Sequence, residues 1–426
     1  MIIVKIKCDI CGFTKNKVSG FLSYHGSAHV AIEILNTSIN RLKRRFFCFI
    51  SHKKTIYRRR HPMETSFTRR LGIPHPIVQA PMAGGPATPE LAATVSNAGG
   101  LGSLGAGYWS PAQIRDAIRA VRRRTDRPFA VNLFVPERPG TKATDDDVSA
   151  MNAHLNAYRA KLGIEPDPAL PANAVSFEDQ LQVLLEEEVP VFSFTFGIPP
   201  AETIEALKRR GIVIVGTATT IAEGIRLEAA GVDAIVAQGS EAGGHRGTFL
   251  SEAADALIGT LALVPQLADR VSVPVIASGG IMDGRGLAAS LALGASAAQM
   301  GTAFLASPES GAHAAHKRLV LSSAEDATAV TVAYSGKAAR GIRTDFMRDM
   351  HAYPGTIPDY PIQNALTRDI RQAAAQADDP SLMSLWAGQG LRLATAQAAA
   401  DIVNRTVAEA QAAIGKLSGF AGMGGV

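Results

Sequence analysis

The sequence predicts an α/β protein of the TIM-barrel type, in which eight parallel strands close into a ring and helices surround them. Two observations lead to this fold class. Between residues 76 and 304, short apolar and often β-branched runs alternate with segments of helical periodicity, which is the pattern of repeated βα units. Eight such runs fall within about 230 residues, which is enough for eight units to close into a barrel. A doubly wound open sheet is the alternative, and the eight regular units favour the barrel.

The order of the elements follows from the pattern. The first helix of the barrel, at residues 88–97, has Thr88 as a suitable N-cap and Pro89 at its first position. A helix at residues 110–124 carries Ile114, Ile118 and Val121 on one face, as a helix packed on a sheet does. Strands are predicted at residues 76–82, 100–107, 129–135, 191–196, 212–215, 234–237, 273–277 and 297–304. Further helices are predicted at residues 176–188, 201–210, 219–230, 254–268 and 284–293.

Two regions depart from this alternation. An insertion at residues 136–175 follows the third strand and contains a helical piece at 148–162. From about residue 309 the alternation stops, and an alanine-rich pattern predicts a long helix from about residue 391. We expect this C-terminal helical region to pack on the barrel, in a position to cover its mouth.

Charge divides the chain into two parts near residue 62. Residues 1–62 hold 13 of the 43 Lys and Arg but only 2 of the 38 acidic residues, Asp9 and Glu33. The remainder therefore has 30 basic and 36 acidic residues, a balance that gives nucleic-acid binding no electrostatic support. We expect residues 1–62 to be a disordered basic extension without a role in function. Residues 63–426 are expected to form the barrel and its C-terminal region.

Several function classes have little support in the sequence. The three cysteines, Cys8, Cys11 and Cys48, all lie in the extension, so the barrel has no thiol chemistry. The lone CxxC pair lacks a second pair at zinc-site spacing, and no carboxylate partner is evident for His313 and His316. No apolar run approaches the ~20 residues that cross a bilayer, and no secretory signal is evident. We therefore expect a cytoplasmic protein that uses no metal ion.

The most informative stretch is SEAGGHRG, at residues 240–247, which follows the sixth strand. Glycines at this density let the backbone approach a bound ligand closely. His245 lies among them, and an imidazole can act as a base or an acid near neutral pH. A surface loop with a solvated histidine is the alternative that this stretch alone leaves open.

Polar and glycine residues mark the ends of other predicted strands. In a TIM barrel, ligands bind at the carboxyl ends of the strands, with phosphate beside the loops after strands seven and eight. Gly280 follows strand seven and Gly301 lies in strand eight, so their backbone N–H groups could bind phosphate, although such glycines can also serve only to turn the chain. Asn132, in an otherwise apolar strand, and Gln238, at the end of strand six, could hydrogen-bond the same ligand.

Three motifs resemble those of the nitronate monooxygenase family, which older descriptions call 2-nitropropane dioxygenase. They are QAPMAGG at residues 79–85, QGSEAGGHRG at 238–247 and ASGGIMDGR at 277–285. A further match, WAGQG, lies at residues 386–390. The resemblance covers about residues 71–393 and leaves residues 1–62 without a counterpart.

The resemblance implies an FMN-dependent TIM barrel in which His245 matches the active-site histidine that lies over the flavin. Residues 80–82 would lie close to the isoalloxazine ring. Eight residues would bind FMN, the last five of them around its phosphate: Asn132, Gln238, Gly243, Gly280, Gln299, Met300, Gly301 and Thr302.

The implied reaction is the oxidation of an alkyl nitronate, or of a nitroalkane, by oxygen to a carbonyl compound and nitrite. With a neutral nitroalkane, His245 would remove the proton from the carbon that bears the nitro group. With the anionic nitronate, it would position the substrate instead. An NAD(P)H-dependent flavin reductase of a quinone or an enoyl thioester, on the same fold, is the alternative. The GGHRG form of the histidine motif and the segment at residues 335–341 favour the monooxygenase.

Overall fold

The structure is a computed structural model that describes residues 63–136, 143–168 and 175–421. The predictions for residues 1–62 therefore lie outside the described residues. The strands are, in chain order, β1 (Ile77–Gln79), β2 (Gly102–Gly105), β3 (Phe129–Phe134), β4 (Val191–Thr195), β5 (Val213–Ala218), β6 (Ala234–Gln238), β7 (Gly244–His245), β8 (Val275–Ser278), β9 (Ala297–Met300), β10 (Thr328–Thr331) and β11 (Ala339–Ile342).

The helices alternate with the strands through the barrel and then follow one another in the C-terminal region. They are α1 (Ser66–Leu71), α2 (Pro89–Asn97), α3 (Pro111–Arg122), α4 (Asp145–Leu162), α5 (Phe177–Glu186), α6 (Ala201–Arg209), α7 (Ile221–Ala230), α8 (Thr260–Ala268), α9 (Gly284–Ala292), α10 (Thr302–Leu305), α11 (Ala314–Ser322), α12 (Asp345–His351), α13 (Ile362–Leu366), α14 (Arg368–Gln376) and α15 (Ala399–Ala421). A 3₁₀ turn at Leu391–Leu393 precedes α15. None of the helices in the described parts of the chain is long and apolar enough to cross a membrane.

Eight parallel strands form the barrel, in the order β1-β9-β8-β6-β5-β4-β3-β2. The two strands at the ends of this order, β1 and β2, meet at a parallel bridge between Val78 and Leu101. There the N–H of Gln79 donates to the carbonyl of Leu101 at 2.9 Å, and the N–H of Leu101 donates to the carbonyl of Ile77 at 2.8 Å. These bonds close the ring, so the TIM-barrel prediction is confirmed and the open sheet is excluded.

Side chains from alternate strand positions fill two layers. One set, including Val78, Val191 and Val236, packs inside the barrel, where Phe67 of α1 and Ile73 join it. The other set faces the surrounding helices, so both faces of each strand are buried. This explains why the strands appear in the sequence as continuous apolar runs without polar alternation.

Local capping defines the helix starts. Thr88 caps α2 by accepting from the N–H of Leu91, with Pro89 at the first position, as the sequence predicts. Ser110 and Gln113 form a reciprocal capping box at α3, whose predicted apolar face is fully buried.

Several boundaries differ from the predictions; strand one, for example, ends at Gln79 instead of residue 82, and the helix of the insertion begins at Asp145 instead of residue 148. Strand eight was expected to continue to residue 304, but β9 ends at Met300 and the apolar residues that follow form α10. Strand five runs on to Ala218 instead of ending at residue 215. The helix predicted from residue 254 begins at Thr260, and the one predicted from 391 begins at Ala399. Composition identifies an apolar segment, whereas its exact ends depend on packing and caps.

The insertion and the C-terminal region share a second hydrophobic core. Met151 and Leu155 of α4 pack with Phe346 of α12 and Ile370 of α14. We call residues 328–393 the cap, because several of its side chains line the cavity at the carboxyl ends of the barrel strands. The expectation that the C-terminal region packs over the mouth of the barrel is confirmed, and the insertion supports it from the side.

A buried arginine joins α4 to the cap. Arg159 is fully buried, and its Nε donates to the Asp369 carboxylate at 2.8 Å. Its two terminal nitrogens donate to the carbonyls of Asn152 and Leu366 and to the side chain of Asn156, each at 2.9 Å. The guanidinium therefore fixes the α13–α14 junction against the insertion.

Asp369→Ala is expected to loosen the cap, because it leaves the fully buried Arg159 without its carboxylate. Breaking a buried ion pair costs about 3–5 kcal/mol, and we expect about 3 kcal/mol since three other acceptors remain. Urea unfolding monitored by circular dichroism measures the change. Glu205→Ala, which breaks the exposed pair with Arg209, is the control and should cost well under about 1 kcal/mol. Equal losses in the two variants would contradict the assignment.

Candidate active site

A cavity of about 830 Å³ lies between the carboxyl ends of the barrel strands and the cap. This volume is within the range of ligand and cofactor sites. The barrel contributes residues from the segments after β1, β2, β3, β4, β6, β8 and β9, and the cap contributes residues from α13, α14 and the segment before Leu391. The site therefore lies where the fold predicts it, at the carboxyl face of the barrel.

His245 is held in the short strand β7, which the sequence presents only as a loop. In β7, His245 pairs with Ala339 and Gly244 with Arg340 of β11, so the histidine motif becomes the edge of a three-stranded antiparallel sheet. From the barrel side, the Gln238 side chain donates to the His245 carbonyl at 2.9 Å and accepts from the Gly247 N–H at 2.8 Å. Both contacts fix the backbone on which the imidazole is carried.

The buried Arg246 anchors the same segment. Its guanidinium donates to the carbonyls of Gly239, Gln238 and Ala256 at 2.6, 3.0 and 3.0 Å. Arg340 donates to the carbonyl of Ser240 at 3.0 Å. Burial, with the charge of Arg340, lowers the pKa of Arg246 to about 10, which still leaves it charged at neutral pH. Both arginines therefore bond to the backbone of the histidine segment.

Ser335 is the hydrogen-bond partner of the His245 ring. Nε2 lies 2.8 Å from Ser335 Oγ, and Oγ lies 3.1 Å from the carbonyl of Lys337. A carbonyl only accepts, so a Ser335 hydroxyl that donates to Lys337 leaves His245 Nε2 as the donor to Oγ. In that tautomer the lone pair lies on Nδ1 of a ring that lines the cavity.

The imidazole is surrounded by aromatic rings and stays neutral. Its ring centroid lies 5.7 Å from that of Phe196, 6.3 Å from Tyr360 and 5.5 Å from Trp386. Burial, with the positive charges of Lys337 and Arg371, lowers the pKa of His245 to about 3. The histidine therefore carries no charge at neutral pH, although it titrates there in solution.

The cavity also contains a cation from the cap, Arg371, and a phenol from the segment after β2, Tyr108. The Arg371 guanidinium donates to the carbonyl and side chain of Asn364, both at 2.9 Å, and none of the ion pairs among the described residues includes it. Burial raises the pKa of Tyr108, with the charge of Arg371 opposing the rise, so its hydroxyl stays protonated. An anionic group of a ligand would complete the set of charges here.

Seven of the eight residues predicted to bind a cofactor line this cavity, together with His245: Asn132, Gln238, Gly243, Gly280, Gln299, Gly301 and Thr302. Asn132 is buried and donates to Ser193 Oγ at 3.0 Å, which leaves its carbonyl oxygen for a ligand. Met300 differs from the others. Its side chain is fully buried in the layer between strands and helices and does not line the cavity, while its carbonyl accepts from Ala80 at 2.9 Å.

Gly243 packs against the backbone of the WAGQG segment too closely for any side chain. A Cβ at this position would lie 2.6 Å from backbone atoms of Ala387 and Gly388. A Cβ at Gly388 would in turn lie 3.1 Å from the Gly243 nitrogen, and the Gly388 N–H donates to Thr302 Oγ1 at 2.9 Å. The histidine segment and the WAGQG segment therefore pack backbone to backbone.

Sequence reasoning did not assign several residues of the cavity, namely Tyr108, Phe134, Phe196, Tyr360 and Arg371. Phe196 has a signal visible only in the structure. Its φ is +77°, in the left-handed region that a bulky residue rarely adopts, which costs about 1–3 kcal/mol. Arg371 lies in a polar helix with a second arginine, Arg368, and a sequence pattern of this kind predicts solvent-exposed side chains.

His313 and His316 also line the cavity, and His313 Nδ1 lies 3.7 Å from the Asp378 carboxylate. His316 lies 3.0 Å from the carbonyl of Trp386, and burial lowers its pKa to about 4. The Lys337 ammonium lies 4.6 Å from the ring centroid of Phe196 and is not among the residues lining the cavity. Within the described ranges, no three His, Cys, Asp or Glu side chains are grouped closely enough to hold a metal ion.

Comparisons with known proteins agree on one family. The family model described as nitronate monooxygenase matches residues 66–409. A probable nitronate monooxygenase of Staphylococcus aureus (strain MSSA476) is 49% identical over 341 residues, which cover 80% of this chain and 95% of the relative. The crystal structure of nitroalkane oxidase from Streptomyces ansochromogenes is 42% identical with a TM-score of 0.77, covering 82% of this chain and 99% of that one. FabK from Thermotoga maritima is 33% identical with a TM-score of 0.67, covering 84% and 99%.

Gly243→Ala is expected to separate the histidine segment from the WAGQG segment, because the backbone atoms at 2.6 Å must shift. Overpacking of this kind costs about 1–3 kcal/mol, measured as a lower midpoint of thermal unfolding. Gly415→Ala is the control, since that glycine of α15 is exposed with no atom within 4 Å of its added Cβ. It should be neutral or stabilise by about 0.5–1 kcal/mol. A Gly243→Ala protein as stable as the parent would contradict the packing argument.

Proposed function

Because the chain belongs to the nitronate monooxygenase family of oxidoreductases, we propose that it uses FMN to oxidise alkyl nitronates with oxygen to a carbonyl compound and nitrite. The observation that carries this proposal is the state of His245. It is a neutral imidazole that contacts Ser335 through Nε2 and lies among aromatic rings at the carboxyl ends of the barrel strands. Such a group suits a small anionic substrate that must not be protonated.

The volume of the cavity and the donors in its lining support FMN as its ligand. The backbone N–H groups of Gly280 and Gly301 make no hydrogen bond within the described residues and could hold the phosphate. Gly280 has a φ of +70°, a conformation that suits glycine and keeps this loop free of a side chain. Gln299 and Thr302 would also lie around the phosphate, Asn132 and Gln238 would face the rest of the cofactor, and residues 80–82 would lie beside the isoalloxazine ring. When bound, FMN would supply the redox chemistry, taking electrons from the substrate and passing them to oxygen.

The charge state of His245 favours the nitronate over the nitroalkane. A protonated imidazole would hand its proton to the nitronate and convert it into the neutral nitroalkane, whereas a neutral imidazole has only the Nε2 proton that Ser335 holds. With a pKa of about 3, the imidazole is also a weak base for removing a proton from carbon. We therefore infer that His245 mainly orients the substrate, with proton removal from nitroalkanes as a slower activity.

Arg371 supports an anionic substrate. It lines the cavity with no carboxylate partner among the described residues, so the negative charge of the nitronate would enter a region of positive potential. The Tyr108 hydroxyl, kept protonated by burial, would add a hydrogen-bond donor.

The alternative is an NAD(P)H-dependent flavin reductase on the same fold. The similarity to FabK at 33% identity keeps this alternative in view. Stopped-flow mixing of the purified protein with NADH, and separately with ethyl nitronate in the presence of oxygen, distinguishes the two. We expect a flavin absorbance spectrum, oxygen uptake with ethyl nitronate and slow or no bleaching by NADH. Rapid bleaching by NADH with indifference to the nitronate would support the reductase, and a colourless protein would argue against both.

His245→Asn is expected to separate the two substrates. The variant should keep FMN, because the phosphate and ring contacts come from other residues, and should lose roughly 10²- to 10⁴-fold in kcat/KM for nitroethane, which needs the base. The loss for ethyl nitronate should be smaller, because this substrate already lacks the proton. In the parent, kcat/KM for the nitronate should stay level between about pH 5 and 8, since the imidazole is neutral throughout this range. Full retention of nitroethane activity in the variant would rule out proton removal by His245.

A further inference from the structure

Phe196 has an unusual backbone conformation for its size. It directly follows β4, is 1% exposed and has a φ of +77°. The neighbouring residue is Gly197, also with a positive φ. Since a glycine or asparagine would adopt the conformation of Phe196 more easily, contacts of the aromatic side chain must offset the strain.

Those contacts come from three parts of the chain. The Phe196 ring lies 4.8 Å from Phe134 of β3 and 5.7 Å from Tyr360 of the cap, measured between centroids. It stands nearly perpendicular to the His245 ring, at 84° and 5.7 Å. The Lys337 ammonium, from the connection between β10 and β11, lies 4.6 Å from its centroid. One ring thus contacts both the imidazole and a neighbouring cation.

We propose that Phe196 is a positioning residue for His245, whose ring holds the Lys337 ammonium and the imidazole at a fixed separation and keeps water from entering between them. An ammonium placed over an aromatic face is attracted by the ring, the more strongly when it is shielded from water. On its other contact, the imidazole lies with Nε2 2.8 Å from Ser335 Oγ. The consequence of this role for catalysis rests on the proposed function, the oxidation of an anionic nitronate. The contacts of Phe196 themselves do not depend on that proposal.

The charged and titratable groups around His245 show how this arrangement acts. Lys337 approaches from the β10–β11 connection and Arg371 from α14, and both positive charges add to burial in lowering the pKa of His245. The phenols of Tyr360 and Tyr108 face the same cavity. If the ammonium leaves its place over the ring, or water reaches the imidazole, the histidine gains a proton more easily. Phe196 therefore keeps the histidine neutral through Lys337 and through exclusion of water.

Two substitutions of Phe196 distinguish the effect of its aromatic ring from the effect of its apolar volume. Phe196→Leu keeps an apolar side chain and the backbone strain but removes the aromatic face, whereas Phe196→Tyr keeps the ring. The measurement is the pKa of His245 in the FMN-loaded enzyme, from nitrogen-15 NMR of labelled histidine, with His245→Asn identifying the signal. We expect the pKa to rise by at least one unit in Phe196→Leu, a tenfold change in the protonation equilibrium, and to stay within a few tenths in Phe196→Tyr.

A double-substitution cycle with Lys337→Met tests whether the effect passes through Lys337. Lys337→Met alone should raise the pKa, and Phe196→Leu with Lys337→Met should raise it by clearly less than the two single shifts together. Additive shifts would overturn the role assigned to Phe196, as would equal shifts in Phe196→Leu and Phe196→Tyr or no shift in Phe196→Leu. Should Phe196→Leu fail to fold, Phe196→Met takes its place in the cycle, judged by the same outcomes.

The NMR titration needs no turnover, so its outcome is independent of whether nitronates are the substrate. As a functional readout, kcat and KM for ethyl nitronate are measured from pH 8 down to the lowest pH at which each variant stays folded. In Phe196→Leu, the fall of kcat/KM towards low pH should begin at least one pH unit higher than in the parent and in Phe196→Tyr, because its histidine gains a proton more easily. An unshifted profile in Phe196→Leu together with a raised pKa would leave the positioning role in place and contradict the proposed function.

Discussion

The histidine of the candidate active site is carried by a strand of only two residues, Gly244–His245, whose partner in the described sheet is β11. Two residues cannot form a stable strand alone, so the position of the imidazole depends on a segment almost 100 residues further along the chain. The same dependence appears at Gly243, which packs backbone to backbone against Gly388. The barrel therefore contributes the carboxyl ends of its strands to the site. The orientation of the His245 side chain depends on the packing of the C-terminal region against the barrel.

Buried charges hold this assembly together by bonding to the backbone. Arg246 and Arg340 donate to carbonyls after β6, while the buried Glu223 accepts from the N–H groups of Phe249 and Leu250 just beyond the histidine segment. Arg159 acts likewise on the α13–α14 junction. Each group is partnered by several donors or acceptors, which is the condition under which a buried charge is tolerated. Irregular loops thus gain fixed positions without belonging to the barrel sheet.

Local and repetitive features could be predicted from the sequence, whereas contacts between distant segments could not. The alternating units predicted the barrel, and Thr88 with Pro89 predicted the start of a helix. The glycines at the strand ends, together with His245, predicted where the cavity lies. The end of β9 was wrong because apolar residues suit a strand and a buried helix equally, and only packing decides. The pairing of β7 with β11, the φ of Phe196 and the enclosure of Arg371 all depend on tertiary structure that no local pattern encodes.

The strain at Phe196 and the low basicity of His245 have a common physical basis. Both are unfavourable states for the isolated residue, and both occur where aromatic rings of the barrel and the cap pack together. A solvated histidine near the same cations would lose little of its basicity, because water screens their charge. Burial among the rings therefore strengthens the effect of two nearby positive charges on the pKa of the histidine. In the proposed reaction, these cations would attract the anionic substrate while the histidine stays neutral.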